Sequence, residues 1–263
     1  MSAHDDATIK DRVKAQFAAT AANYVVSKGH AEGDDLARLV ALAAPTADDV
    51  ALDIATGGGH TALAVAQTAG QVVASDFTQT MLKTAQGFIA TKGIENVTYA
   101  LADAEALPFA DHSFSLVTTR IAPHHFPNLR AYVHEVARVL EPGGRFLLED
   151  SAAPEGEAGE FLNHVEKLRD GSHVHSATQQ EWLELLADAE FTVVTAELFR
   201  KEHELSQWIG RANANAETVR NAWETAPPNA KTAFDLTYKD DGSVHSYSDD
   251  KVVILATKPL AGY

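Results

Sequence analysis

The chain has no cysteine, which removes disulfides, thiolate metal sites and a cysteine nucleophile from consideration. Positive charge is scarce as well: 21 Lys and Arg face 37 Asp and Glu, for a net charge of −16. With no basic cluster, neither a nucleic-acid backbone nor an anionic membrane is an expected partner. Long apolar runs are also missing, and "KVVILA" is among the longest. Nothing has the length of a membrane span or the pattern of a secretory leader, so a cytoplasmic protein is expected. Internal repeats and low-complexity segments are absent. What remains is ordinary for a globular chain: 263 residues, 45% hydrophobic and 22% charged, enough for one domain with additions. Such an acidic chain can still hold a small polar molecule.

Residues 1–46 read as amphipathic helices broken near Gly29 and Gly33, with Val13, Phe17, Tyr24, Leu36, Leu39 and Val40 on apolar faces. From Val50 the texture changes to short apolar strands, at 50–55, 71–75, 97–101, 114–119 and 145–149. Helical patterns fill the gaps at 60–69, 79–91 and 129–140. Alternating units of this length imply an α/β fold with a parallel sheet covered on both faces. After Asp150 the polar stretch "SAAPEGEAGE" leaves the sheet, and a helix with Phe161, Val165 and Leu168 follows. Thr178 with Glu181 has the spacing of a capping box opening helix 179–189. Strands at 191–198 and 251–257 bracket a largely helical insertion, whose Trp208 and Trp223 read as core or as the surface of a homodimer.

The stretch "VALDIATGGGHTALAVA" (50–66) sets three glycines between the first strand and its helix, with Asp53 just ahead. Such a turn places backbone N–H groups and the positive helix end at the C-terminal edge of the sheet. Glycine there allows a positive φ and close approach of a ligand. Asp76 closes the second strand, 19 residues after Gly57, where a carboxylate can take both hydroxyls of a ribose. Gly57-x-Gly59-x-x-Ala62 also satisfies the dinucleotide fingerprint, so an NAD(P)-dependent oxidoreductase is an alternative. A short-chain dehydrogenase would need Tyr-x-x-x-Lys after the central strands. That pattern occurs at Tyr24/Lys28 and Tyr247/Lys251, neither suitably placed.

The third strand favours a different ligand. "ALADAEALPFADHSFSLV" puts Asp103 at the strand's end, followed by Ala104. Asp103 can accept from an adenine amino group while the Ala104 N–H donates to a ring nitrogen. Three carboxylates ending three successive strands suit a ligand with an ammonium, a ribose and an adenine, which describes S-adenosylmethionine. No Arg or Lys flanks the glycine loop to hold a pyrophosphate.

On "LDIATGGGH" (52–60), "VVASDFTQTML" (72–82), "LADAEALPFADHSFSLVTTR" (101–120) and "VARVLEPGGRFLLED" (136–150), the chain resembles the class I S-adenosylmethionine-dependent methyltransferases. Within them it is similar to the ubiquinone/menaquinone-biosynthesis C-methyltransferase branch. It departs from that pattern at Ala55, where the family usually has Gly, and at Thr56, where it often has Cys. The resemblance implies a Rossmann-like, doubly wound, seven-stranded sheet with strand 7 antiparallel. It implies that Asp53 with the backbone of 55–59, including Ala55, Thr56, Gly57 and Gly59, holds the methionyl end. Asp76 would take the ribose, Phe77 and Met81 would flank the adenine, Asp103 and Ala104 would read its edge, and Arg120 would lie beneath the methionyl part. The domain division expected is an N-terminal helical lid over 1–46 and a methyltransferase domain over 47–263. The latter comprises a cofactor-binding core (50–150), a substrate-side segment (151–177) and the insertion (199–250).

Methyl transfer from a sulfonium asks mainly for alignment and exclusion of water. A general base is needed only where the acceptor must lose a proton. His124 and His125, in "RIAPHHFPN" after strand 4, are the candidates, with His125 ahead. Tyr24 and His30 of the lid, and Arg169 and His173 of the second wall, are candidates for contact with a small-molecule acceptor. The histidine pairs 124/125 and 173/175 lack the helical spacing of a zinc site, so no metal is expected. A non-catalytic protein that binds S-adenosylmethionine is the remaining alternative, with the histidine pair at the reaction locus counting against it.

Overall fold

Parallel strands cannot be joined by tight turns, and each crossover must climb a face of the sheet. The computed structural model, which describes residues 8–14, 34–210, 212 and 215–260, obeys this through its first half. Helix α1 (Asp34–Ala43) leads to β1 (Val50–Ile54), α2 (His60–Ala66), β2 (Gln71–Asp76), α3 (Gln79–Ala90), β3 (Val97–Leu101) and β4 (Phe114–Arg120). A 3-10 turn at Pro123–His125 precedes α4 (Leu129–Val139) and β5 (Leu140–Ala152). Helices α5 (Glu157–Arg169) and α6 (Gln179–Asp188) then lead to β6 (Thr192–Glu204). Three short helices, α7 (Leu205–Gly210), α8 (Ala216–Glu224) and α9 (Pro228–Ala233), precede β7 (Thr237–Tyr238) and β8 (Val244–Thr257).

The strand order is β3-β2-β1-β4-β5-β8-β6. The first five are mutually parallel, and β8 runs antiparallel between β5 and β6. The expected Rossmann-like sheet with an antiparallel last strand is therefore present, with two-residue β7 as an eighth strand beside β8. The order reverses at β1 and β4, which opens a crevice beyond the carboxyl ends of those strands. Two apolar layers cover the faces, one including Leu39, Val65 and Ile89, the other Val133, Val136 and Trp182. The Thr178 capping box is formed, with Glu181 N–H donating to Thr178 Oγ1 at 3.1 Å and Thr178 N–H to Glu181 Oε2 at 2.7 Å.

The segment 199–250 is less helical than expected. β6 and β8 stay paired from Thr192↔Thr257 out to Glu204↔Ser246, beyond the last β5 pair at Ala152↔Asp250. Past that point the strand residues carry charges such as Lys201, His203 and Asp249, which hide the apolar alternation of a strand. The helices of this segment close a separate aromatic core against α5. Trp223 stacks on Tyr247 with ring centroids 4.2 Å apart and meets Trp208 edge-on at 6.2 Å. Trp208 and Trp223 are 3% and 0% exposed, so both are core of this chain. Among the described residues no helix is long and apolar enough to cross a membrane.

Trp223→Ala is expected to lower unfolding stability by about 3–5 kcal/mol, the cost of emptying a large aromatic site. A urea midpoint shift well under that, at unchanged slope, would mean the aromatic cluster packs loosely.

Candidate functional site

Register brings the acidic strand ends together. Asp53 of β1 is paired with Ala74 of β2 and Thr118 of β4, and Asp76 of β2 with Leu101 of β3. The glycine turn folds over this edge. Ala55, Gly57 and Gly59 have φ values of +54°, +52° and +86°. The left-handed conformation is easy for glycine but costs an L-residue about 1–2 kcal/mol, so Ala55 is strained where the resembling family usually has glycine. Thr56 N–H donates to the Ser75 carbonyl at 2.8 Å and Gly57 N–H to Asp76 Oδ2 at 3.0 Å. Asp76 Oδ1 accepts from Thr78 N–H at 2.9 Å and Thr78 Oγ1 at 3.1 Å. One carboxylate thus joins the turn after β1 to the start of α3.

A cavity opens above these groups. Asp53, Ala55, Thr56, Gly57 and Gly58 line one side, and Asp76, Phe77 and Met81 another. Arg120, Ile121, His125 and Phe126 line it from the β4 end. Asp103 and Ala104 line an adjoining pocket that shares Ala55, Phe77, His125 and Phe126 with the first. Gly59 is not a lining residue. A Cβ there would lie 3.0 Å from Ala85 Cβ and 3.1 Å from Ile89 Cδ1, so its glycine serves the close approach of α3. Ile121, a β-branched residue at φ +52°, is a second strained position facing the cavity.

Burial pushes Asp53 up to about 6 against the opposing effect of the nearby Thr56 and Thr118 hydroxyls, and it raises Asp76 as well. Thr118 Oγ1 donates to Asp53 Oδ1 at 2.8 Å, while the buried Asp53 Oδ2 and Thr56 Oγ1 have no partner within hydrogen-bond geometry among the described residues. Asp53 and Thr56 both line the cavity, so the unsatisfied oxygens lie at its wall. The helical segment 8–14 lies over the other end. Lys10 Nζ sits 2.6 Å from Asp103 Oδ2 and 2.7 Å from Glu105 Oε2, and Lys14 Nζ lies 4.4 Å from the Phe77 ring centroid.

The 3-10 turn after β4 sends its two histidines different ways. His125 lines both pockets, whereas His124 is turned to Asp150. His124 N–H donates to Asp150 Oδ2 at 2.8 Å, and its Nδ1 lies 2.6 Å from Asp150 Oδ1. Burial works against a charge on His124, but Asp150 outweighs it and raises the pKa. Burial and the adjacent His124 push His125 down to about 4. Their ring centroids are 4.2 Å apart, and His173 is 5.6 Å from His124.

Arg169 and His173 are not cavity-lining residues. Arg169 pairs with Glu166 at 2.8 Å and lies 4.5 Å above Trp208, because the end of α5 faces the aromatic core. His173 Nε2 lies 2.9 Å from Asn163 Oδ1, within a buried polar layer behind His124. Tyr24 and His30 lie outside the described residues. Tyr247 and Lys251, one of the two Tyr-x-x-x-Lys pairs, are buried elsewhere: Tyr247 against Trp223, Lys251 with Asp249 at 2.9 Å and Ser151 at 2.8 Å. Among the described residues no group of three His, Asp or Glu is arranged to hold a metal ion.

Several lining residues carried no signal of their own in the sequence. His60 and Thr61 open α2 and face the cavity. Thr61 Oγ1 accepts from Arg120 Nε at 3.2 Å, and Arg120 Nη1 is 3.3 Å from Asp35 Oδ2, which Lys201 Nζ also approaches at 3.3 Å. Glu149 ends this group. It is 0% exposed, and burial pushes it up to about 8, with Arg120 and Lys201 opposing and Asp35 adding to the rise. The carboxylate pair in "LLED" was a readable signal for it.

The parallel sheet with an antiparallel last strand, and a glycine turn over acidic strand tips, define the class I S-adenosylmethionine-dependent methyltransferases, to which this chain belongs. The methyltransferase-domain family model matches residues 52–148. The chain is similar to methyltransferase YcgJ of Bacillus subtilis (strain 168), with 35% identity over 246 residues, 92% of this chain and 97% of that protein. A Bacillus halodurans C-125 crystal structure, described as a methyltransferase, superposes with a TM-score of 0.83 at 39% identity, covering 86% of this chain and 100% of the other. Demethylmenaquinone methyltransferase of Clavibacter sepedonicus is 37% identical over 111 residues, only 42% of this chain and 44% of that enzyme.

Because Glu149 is held above the ordinary carboxyl range, its neutral form favours the fold at low pH, and that contribution is lost as pH rises through about 8. Glu149→Gln is expected to gain stability on the wild type between about pH 5 and 8, by at most about 1.4 kcal/mol per pH unit. Parallel stability–pH curves in urea titrations would exclude this.

Proposed function

We propose that this chain transfers the methyl group of S-adenosylmethionine to a small organic acceptor that meets it beside His125. The observation that carries the reading is the convergence of Asp53, Asp76 and Asp103, from three neighbouring strands, on one continuous pair of pockets. The bound cofactor supplies an activated methyl on a sulfonium, open to in-line displacement. Asp53 and the turn around Thr56 and Gly57 hold the methionyl ammonium, whose charge favours the ionised form of the buried carboxylate. Asp76 accepts from the ribose hydroxyls. Phe77 and Met81 flank the adenine, and Asp103 with Ala104 reads its edge. Arg120 supports the methionyl carboxylate from beneath, braced by Asp35 and Thr61.

At the acceptor end Ile121 and Phe126 exclude water, which strengthens every polar contact made there. His125 is uncharged at neutral pH and takes a hydrogen bond, then the proton, from an acceptor that must lose one. His124, held by Asp150, supplies a fixed neighbouring ring and positive potential. Residues 1–46 serve as the lid, 50–150 as the cofactor-binding core, and 151–177 as the wall behind the histidines.

Isothermal calorimetry with S-adenosylmethionine and S-adenosylhomocysteine tests the reading, and heat from neither would end it. Asp76→Ala should weaken binding by about 1.5–3 kcal/mol, the range for hydrogen bonds to a charged group. Lys10 holds the Asp103 oxygen that the adenine amino group needs. Lys10→Ala should therefore tighten S-adenosylhomocysteine binding several-fold, and weaker binding would show that Lys10 supports the ligand instead.

A further inference from the structure

His125 is approached at one nitrogen by two groups of the same residue. Its Nδ1 lies 3.1 Å from the Ser172 carbonyl oxygen and 3.2 Å from Ser172 Oγ. The carbonyl can only accept a hydrogen bond. The hydroxyl has one proton, and that proton is committed elsewhere, because Oγ donates to Asp170 Oδ1 at 2.5 Å. The same carboxylate oxygen takes the Ser172 backbone N–H at 2.9 Å, which fixes the turn that presents the hydroxyl. Asp170 and Ser172 are 7% and 2% exposed, so little water competes for these bonds. Both Ser172 oxygens therefore turn lone pairs toward Nδ1, and Nδ1 is the nitrogen that must bear the ring proton.

We propose that Asp170, acting through the Ser172 hydroxyl, is a positioning residue that holds His125 in its Nδ1–H tautomer and makes Nε2 the basic nitrogen of the ring. The inference rests on the reading of His125 as the base at the acceptor end of the cavity. Without the Asp170 oxygen, the Ser172 proton can swing toward Nδ1, and the Nε2–H tautomer then competes. That form would offer an acceptor the wrong nitrogen. The choice matters because burial keeps His125 neutral, and only a neutral imidazole has two tautomers to choose between. Asp170 lies outside the cavity-lining residues, so its effect is exerted through Ser172 and not by contact with a ligand.

Long-range proton–nitrogen correlation spectra of the full-length, nitrogen-15-labelled protein read each ring nitrogen separately, with His125→Gln identifying the resonances. The wild type is expected to show a protonated Nδ1 and an unprotonated Nε2 for His125 at neutral pH. Asp170→Ala should draw both resonances toward averaged positions. Asp170→Asn keeps an acceptor oxygen in place and should leave them unmoved. The double variant Asp170→Ala/Ser172→Ala removes the errant proton and should restore the wild-type pattern, which a collapsed turn would not allow. An Nε2–H His125 in the wild type overturns the proposal, and this measurement decides even where Asp170→Ala does not fold. So does an unchanged spectrum in Asp170→Ala, or a double variant that matches it. S-adenosylhomocysteine binding on the same wild-type sample separates the two ideas: its absence defeats the methyltransferase reading while leaving the tautomer result standing.

Discussion

The hydrogen bond from the Gly57 amide to the Asp76 carboxylate is the contact on which the site's geometry depends. It ties the turn after β1 to the tip of β2, while the other Asp76 oxygen holds the first residues of α3. Parallel register alone brings strand ends side by side. It does not set the height of the loops above them. Asp76 does so by giving the turn a buried carboxylate anchor at Gly57, in a turn that also holds Ala55 and Gly59 at left-handed φ values. Strain at Ala55 and Ile121 is tolerated because β1 and β4, which they follow, are each paired on both edges.

Charge is distributed around the cavity in a way that separates holding from stabilising. Buried Asp35, Arg120 and Glu149 form one group with half-buried Lys201, and Asp249, Lys251 and Ser151 form another. Buried ion pairs contribute little net stability, since desolvation offsets attraction. Their value here lies in direction. Arg120 is held from two sides by Thr61 and Asp35, so its guanidinium has a fixed pose at the cavity wall. His124 and Asp150 do the same for the turn that carries His125.

The first five strands were legible because apolar runs and polar punctuation coincide with structure there, and the acidic tips could be read from position alone. Strand β4, for example, runs Phe114–Arg120 where 114–119 was expected. The inner halves of β6 and β8 were legible at 191–198 and 251–257, but their outer halves were not, because beyond the last β5 pair they carry charged side chains and no period-two apolar signal survives. Gly59 shows a different limit: a packing glycine and a ligand-facing one look alike in a Gly-rich turn, and only the proximity of Ala85 distinguishes them. Arg169 and His173 sit in the right segment, but the direction of α5 carries Arg169 onto Trp208, and the turn after it sets His173 against Asn163 behind His124; no local pattern encodes either direction.

The place of β8 in the sheet also bears on how the molecule assembles. This strand follows every other in the chain, yet it is seated between β5 and β6 and supplies partners to both. During synthesis β6 therefore emerges with neither edge satisfied and waits for the intervening strand before it can join. Such long-range closure is slow and leaves a sticky edge open to chaperones or to other nascent chains. The parallel half needs no such delay, so the catalytic crevice can take shape on the ribosome before the far side of the sheet is sealed.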